Sequence, residues 1–286
     1  MSGPQGLAIT VIGSRAPELK RRAAVASSTA VLDLHAHVLP ALDDGPADMA
    51  GSISLAAAAE NDGVELIAAT PHLRHDFPGV RPAELADRVS ELSDALGAAG
   101  VGVQVVPAGE VDVFWARDAD DDTLRLVSYA QRGSDLLVET PYGSLPPVFE
   151  DALFDLVVRG YRVLLAHPER CPDFQRDPAS LNALVRRGTL LQVTASALAA
   201  GRGSRSGRLA RALVREGLAH VIASDAHGDA APGRPGLRVG VEAASRLAPR
   251  RARWMATEAP AAVLAGEPLP PAPTDTRGGW RWRRRR

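Results

Sequence analysis

Val31-Leu32-Asp33-Leu34-His35-Ala36-His37 decides how the rest of this 286-residue chain is read. Val31 to Leu34 is an apolar run too short for an independent helix, so it reads as a buried strand. His35 and His37 stand at its exit. Residues two apart on a strand point to the same side, so the two imidazoles are aimed at one place.

Six similar runs follow: Val64 to Ala69, Val103 to Val106, Asp135 to Val138, Arg162 to Ala166, Leu190 to Val193 and His220 to Ala223. The segments between them have helical character: Met49 to Glu60, Pro82 to Ala99, Pro147 to Arg159, Leu181 to Arg187 and Leu209 to Arg215, with further helices over 236–265. Buried strands alternating with helices imply a parallel sheet covered by helices. No glycine-rich dinucleotide fingerprint follows the first strand, and polar residues stand after nearly every strand. A closed barrel gathers such residues at its C-terminal rim, whereas an open sheet collects only those around its switch point. The expectation is an α/β chain forming a seven-unit β/α barrel over residues 31–266. Residues 1–30 are expected to be a poorly ordered extension, too polar for a signal peptide. Residues 267–286 are expected to be a disordered, Pro-rich and basic tail.

An apolar share of 45% supports a sizeable core, and aromatics at only 4% make it aliphatic. A net charge of -1 gives no global signal for nucleic acid. The basic end, with Trp280 and Trp282, reads as a solubilising terminus; its alternative role is a weak contact with an anionic surface. One cysteine, Cys171, forms no intramolecular disulfide and builds no thiolate zinc site alone. No apolar stretch approaches the length of a membrane span. A cytoplasmic location is the simplest expectation.

The strand exits carry His35 and His37, then His72, Glu110, Glu139, His167, and finally Asp225 and His227. The first loop adds Asp43 and Asp44. A lone His after a strand is ordinarily a hydrogen-bonding residue, but the joint pattern is hard to produce by accident. Imidazole and carboxylate without thiolate suit zinc, manganese or iron. Eight or nine ligands exceed what one ion takes, so two or three ions are implied. His220 opens a strand and reads as structural; His75 is left open.

The motifs Asp-Leu-His-Ala-His, Asp-Asp-Gly, Ala-Thr-Pro-His, Ala-Gly-Glu, Ala-His-Pro-Glu-Arg and Ala-Ser-Asp-Ala-His resemble the polymerase-and-histidinol-phosphatase (PHP) superfamily. Within it the stretch His37-Val38-Leu39-Pro40-Ala41-Leu42-Asp43-Asp44-Gly45-Pro46, together with Glu139, is most similar to the CpsB/YwqE-type protein-tyrosine phosphatases of bacterial capsule and exopolysaccharide loci. The resemblance implies a distorted (β/α)7 TIM-like barrel and three metal ions, with manganese expected first. It implies one ion on His35, His37, Glu110 and Asp225, a second on Glu110, Glu139 and His167, and a third on Asp44, His72 and His227. Of the aspartate pair, Asp44 rather than Asp43 is the expected ligand.

The implied reaction is hydrolysis of a phosphate monoester, phosphotyrosine on protein, by a metal-bridging hydroxide without a phosphoenzyme. Arg170, Asp225 and His227 are the candidate catalytic residues. Arg170, and more weakly Arg74, are candidates for binding the phosphoryl group, because a guanidinium fork fits two of its oxygens. The general acid is not identified. The expected partner is a phosphotyrosyl protein, such as a membrane-associated bacterial tyrosine kinase.

Cysteine-phosphatase chemistry fits poorly: four residues separate Cys171 from Arg176 rather than five, and Pro172 removes a backbone donor. No Gly-x-Ser-x-Gly elbow supports a serine hydrolase. The remaining alternatives are a small-molecule phosphatase of the histidinol-phosphate type, a non-catalytic regulatory barrel and, below these, a nuclease.

Overall fold

The computed structural model describes residues 30–228 and 236–275. Its strands are β1 (Val31–Ala36), β2 (Val64–Ala69), β3 (His72–Leu73), β4 (Gln104–Pro107), β5 (Glu110–Val111), β6 (Asp135–Glu139), β7 (Arg162–Ala166), β8 (Leu190–Thr194) and β9 (Val221–Ala223). All neighbouring strands pair in parallel. β3 continues β2 past Thr70-Pro71, and β5 continues β4 past Ala108-Gly109. The nine pieces therefore fill the seven positions expected.

β1-β2-β4 and β3-β5-β6-β7-β8-β9 form two ladders. Hydrogen bonds from Ala108 N to Ala69 O (2.9 Å) and from Glu110 N to Pro71 O (3.1 Å) carry one into the other. The circle closes between the first and last strands. His37 N donates to Ala226 O and Asp225 N to His35 O, both at 2.8 Å. A closed barrel has no sheet edge, and this closure brings the exits of β1 and β9 side by side.

Two apolar layers hold the barrel. The larger lies between strands and helices. The smaller draws Leu32, Leu66, Val106, Leu137, Leu164, Leu190 and Val221 into one cluster, one residue from each strand position. Convergence from every strand marks the barrel's interior. Val263 and Leu264 of helix Glu258–Ala265 join this cluster. Two residues beyond Leu137 and Leu190, on the same faces, stand Glu139 and Gln192. The strand period thus places polar groups directly above the apolar plug.

The helices follow their sequence signals. Asp48 caps Met49–Asn61 by accepting from Gly51 N at 2.8 Å, and Gly100 ends Leu85–Ala99 at φ 74°. Pro82–Glu84 forms a 3-10 turn ahead of that helix rather than its first turn. The sequence reading omitted four short helices: Val113–Asp118, Asp121–Val127, Pro172–Arg176 and Ala195–Ala200.

The expected disorder from 267 onward does not hold for its first part. Leu269 and Ala272 pack on the core, and Asp275 accepts from Arg250 N and Arg251 N, both at 3.1 Å. The apolar residues among those prolines give this segment surface to bury. The remainder of that tail, with Trp280 and Trp282, and all of the expected N-terminal extension but Ala30 lie outside the described residues. No described helix is long and apolar enough to cross a membrane.

Candidate active site

All nine metal-ligand candidates meet at one end of the barrel. His35, His37, Glu110 and His167 are fully buried; His72, Glu139 and Asp225 are nearly so; His227 is partly buried and Asp44 half exposed. His35 Nε2 and His37 Nε2 lie 3.3 Å apart. Both face Glu110 Oε2, at 3.3 and 3.4 Å, and Asp225 Oδ1, at 3.2 and 3.7 Å. His167 Nε2 is 2.8 Å from Glu110 Oε1.

The outer partners fix which ring nitrogens carry protons. Gln192 Oε1 accepts from the backbone N of His167 at 3.2 Å, so that amide atom is an acceptor. His35 Nδ1, 3.1 Å from the same oxygen, is therefore the donor. His37 Nδ1 donates to Asp43 Oδ2 at 2.6 Å, and His227 Nδ1 to the backbone oxygen of Asp225 at 3.0 Å. In the neutral rings each Nε2 is then a lone pair directed into the shared space, the arrangement expected of metal-ligating histidines.

Four overlapping sets place one donor atom per residue within 4.8 Å of the others: His37, Asp44, His72 and His227; His35, His167 and Asp225; His35, His37 and Glu110; and His72, Glu110 and Glu139. These sets cut across the division expected from the resemblance. His37 also stands with the Asp44 set, His167 with His35 and Asp225, and His72 beside Glu110 and Glu139. Glu110, shared by two sets, sits where a bridging carboxylate is needed.

Asp43 and Asp44 play different parts. Asp43 also accepts from His72 N at 2.9 Å and Gly45 N at 3.0 Å, which leaves Asp44 Oδ1 facing His227 Nε2 at 3.3 Å. Gly45 lets this turn close on the strand exit: a Cβ there would meet the carbonyl oxygen of His37 at 2.5 Å. The end of β1 and the start of the Asp-Asp-Gly turn are thus one unit.

Charge in the pocket has a consistent direction. Burial opposes the charged form of Glu110, yet His35, His167 and His37 hold its pKa well below the usual value. Asp225 is lowered against burial by His35, His167 and Arg170. The same pairs act on the rings: despite burial, Asp43 and Glu110 push His37 up to about 10, and Glu110 and Asp225 raise His35. In the protein alone, imidazole protons offset the buried carboxylates. Glu110 Oε2 and His72 Nδ1, 3.1 Å apart, are both buried without a hydrogen-bond partner. Orphaned buried donors and acceptors are costly unless a shared partner meets both of them. The donor set and its charge fit divalent cations.

Arg170 stands at the mouth, a quarter exposed. Its Nη2 is 2.5 Å from Asp225 Oδ2 and its Nη1 donates to Tyr142 Oη at 3.0 Å. Arg74 forks onto Glu139 at 2.9 and 3.2 Å and onto Asp76 at 3.0 Å through two nitrogens. His75 is outside the pocket, 3.8 Å from Asp118, with both side chains largely exposed. Two of the ligand candidates themselves carry positive φ, His167 at 37° and Asp225 at 55°, a backbone arrangement that concentrates at functional sites.

The sequence reading missed three members of this site. Gln192 left one trace, a polar residue inside an apolar strand run. Tyr142 is half exposed and stacked on His167 with centroids 5.5 Å apart. Phe77 stacks on His72 at 5.3 Å. Neither aromatic has a spacing signal.

The family model for capsular polysaccharide synthesis proteins, CpsB/CapC, matches residues 31–264. The tyrosine-protein phosphatase YwqE of Bacillus subtilis is 33% identical over 197 residues, 69% of this chain and 77% of that protein. The tyrosine-protein phosphatase CpsB of Streptococcus agalactiae is 22% identical over 203 residues, 69% of this chain and 83% of its own. A crystal structure from a study of YwqE and Streptococcus pneumoniae CpsB, described as unique metal-dependent tyrosine phosphatases, has a TM-score of 0.73. It is 28% identical and covers 85% of this chain and 99% of its own. The phosphotriesterase of Mycobacterium tuberculosis shares the fold alone, with a TM-score of 0.55 at 14% identity, over 83% of this chain and 94% of its own. The chain belongs to the CpsB/CapC family of capsular polysaccharide synthesis proteins.

Proposed function

We propose that this protein is a metal-dependent phosphatase acting on phosphotyrosine in proteins. The observation that carries the proposal is the buried cluster of nine imidazole and carboxylate side chains with one arginine, Arg170, reaching over it. His35, His37, Glu110 and Asp225 would hold one ion; Glu110 and Glu139, with His167 or His72, a second; Asp44, His72 and His227 a third. Bound there, divalent ions supply Lewis acidity toward phosphoryl oxygens and toward water. Manganese is the proposed metal.

The chain's own residues do the rest. Arg170 presents a fixed fork for two phosphoryl oxygens, and Asp225 and Tyr142 hold its orientation. Arg74 is committed to Glu139 and Asp76 and acts first by orienting that carboxylate. Of the two candidates for proton delivery, Asp225 is held ionised, and His227 has its proton on Nδ1, turned toward its own backbone. Neither keeps a proton on the pocket side. A phenol, with a pKa of about 10, leaves as its anion far more readily than an alkyl alcohol. With neither of these two candidates poised as an acid, an aryl phosphate is favoured over histidinol phosphate.

The family's link to capsule synthesis supports a tyrosine kinase of that system as the phosphorylated partner, and a cytoplasmic site of action. The test is turnover by chelator-stripped protein reloaded with manganese, zinc or iron. Hydrolysis of a phosphotyrosyl peptide in preference to phosphoseryl peptide and histidinol phosphate is expected. His35→Ala and Asp225→Ala should each lose metal and turnover together. No phosphotyrosine hydrolysis with any metal, or a preference for histidinol phosphate, would overturn the assignment.

A further inference from the structure

Helix Arg205–Arg215 follows the short helix Ala195–Ala200 that succeeds β8, and packs beside the turn that carries Arg170. Gln175 ties the two together: its Nε2 donates to Glu169 O at 2.8 Å, to Arg170 O at 3.4 Å and to Ser206 Oγ at 3.3 Å. A groove of about 1060 Å³ opens along this helix. Arg202, Arg205, Arg208, Arg211 and Arg215 line it, together with Arg176 and one carboxylate residue, Glu216. The helix members recur at three- to four-residue spacing, which sets them along one face.

Arg176 is paired with Asp173, whereas none of these five arginines lies within ion-pair distance of a carboxylate among the described residues. Arg211 is only partly exposed, its Nε is buried without a hydrogen-bond partner, and burial with the charges of Arg215 and Arg202 lowers its pKa. Among the described residues, a chain with net charge -1 thus gathers six arginines against one carboxylate, Glu216, along a groove beside the turn that carries Arg170. Such a patch carries repulsion that an anionic occupant relieves.

The floor narrows the occupant. Pro178, Leu209 and Ala212 lie between the arginines. A phosphate polymer offers nothing apolar to cover them, whereas an extended peptide presents alternate side chains to opposite sides. From Arg205 to Arg215 the helix rises roughly 15 Å, the reach of four or five extended residues.

We infer that this groove docks an acidic segment of the substrate protein flanking the phosphorylated tyrosine, with Asp and Glu carboxylates on the Arg202–Arg215 guanidinia. The inference rests on the phosphotyrosine reading of the adjacent pocket and supplies its selectivity between protein substrates. Arg205 and Arg208, two of the four exposed members, act by holding the peptide and take no part in the chemistry.

The test uses the full chain loaded with manganese and two phosphotyrosyl peptides of equal length, one with four acidic residues beside the phosphotyrosine and one with four serines. A higher kcat/KM for the acidic peptide, carried by KM, is expected. Arg205→Glu/Arg208→Glu should lower the acidic-to-serine ratio by about tenfold, and Arg205→Gln/Arg208→Gln by less, with circular dichroism unchanged. Anisotropy of a labelled, unphosphorylated acidic peptide should show binding that weakens with salt and is lost in the Glu variant. An unmoved ratio together with unmoved anisotropy overturns the inference. Competition by heparin or single-stranded DNA at least as strong as by the acidic peptide overturns it too, by making the groove a general polyanion site. Failure to hydrolyse either phosphopeptide, with the acidic peptide still bound, removes the phosphatase reading and leaves the docking groove standing.

Discussion

Asp43 Oδ2 lies 2.6 Å from His37 Nδ1, and this one contact sorts the Asp-Asp pair into a support and a ligand candidate. Asp43 also holds the backbone of His72, so it orients two imidazoles at once. Asp43→Asn keeps one acceptor but loses the charge. Metal affinity should fall roughly 10- to 100-fold, the usual consequence of removing an outer-sphere partner, while turnover at saturating metal falls less. Chelator-competition titration followed by metal-saturated kinetics measures both. Unchanged affinity would return Asp43 to a purely structural role.

In the proposed mechanism Arg170 serves substrate binding apart from metal binding. Its guanidinium shares Asp225 with the ligand cluster but contributes no ligand atom. Arg170→Ala should reduce kcat/KM for phosphotyrosyl peptide about 100-fold, equivalent to about 3 kcal/mol for a charge-assisted fork. Metal content by elemental analysis should not change. Arg170→Lys should recover only a small part, because an ammonium lacks the planar fork. Loss of metal in Arg170→Ala would place the arginine's role in building the cluster instead.

Cys171 is fully buried, its Sγ donates to Gly143 O at 3.6 Å, and burial pushes its thiol pKa up. A protonated, enclosed thiol is not a nucleophile at neutral pH. Cys171→Ser should leave phosphatase turnover intact, read by kcat on the phosphotyrosyl peptide. Abolished turnover in a folded Cys171→Ser protein would contradict the metal-centred chemistry.

His220 gives stability a pH dependence of known sign. Its Nδ1 accepts from Leu191 N at 3.1 Å, and burial, with Arg251 nearby, lowers its pKa from 6.5 to about 4. Above pH 6.5 the native and unfolded states both carry a neutral ring. Between pH 6.5 and 4 the unfolded state takes up a proton that the native state refuses, so stability is lost as pH falls. The loss should be on the order of 2 kcal/mol by pH 4.5, after discounting for partial exposure. Urea denaturation of chelator-treated wild type and His220→Asn at pH 7 and 4.5 isolates this term. Equal pH dependence in the two proteins would remove His220 as its source.

What the chain's order of residues determined by itself is the periodic part. Apolar runs of strand length, helix stops at glycine and polar residues at strand exits are local, and each strand position lies within a residue or two of its expected place. The nine ligand candidates were legible because strand exits in a closed barrel converge by construction. Tertiary structure alone decided which donor faces which. Gln192 meets His35 across 157 residues, and His37 couples to Asp43 rather than Asp44 through a turn shape that Gly45 permits. The helices after β4/β5 and β8 are short, and their end caps and tertiary packing place them more than periodicity does. The packed segment through Asp275, and the seating of the arginine-bearing helix beside the Arg170 turn, arise from contacts distant in sequence. Local spacing carries no information on such contacts, because the free energy that forms them comes from burial and charge only after the barrel has closed.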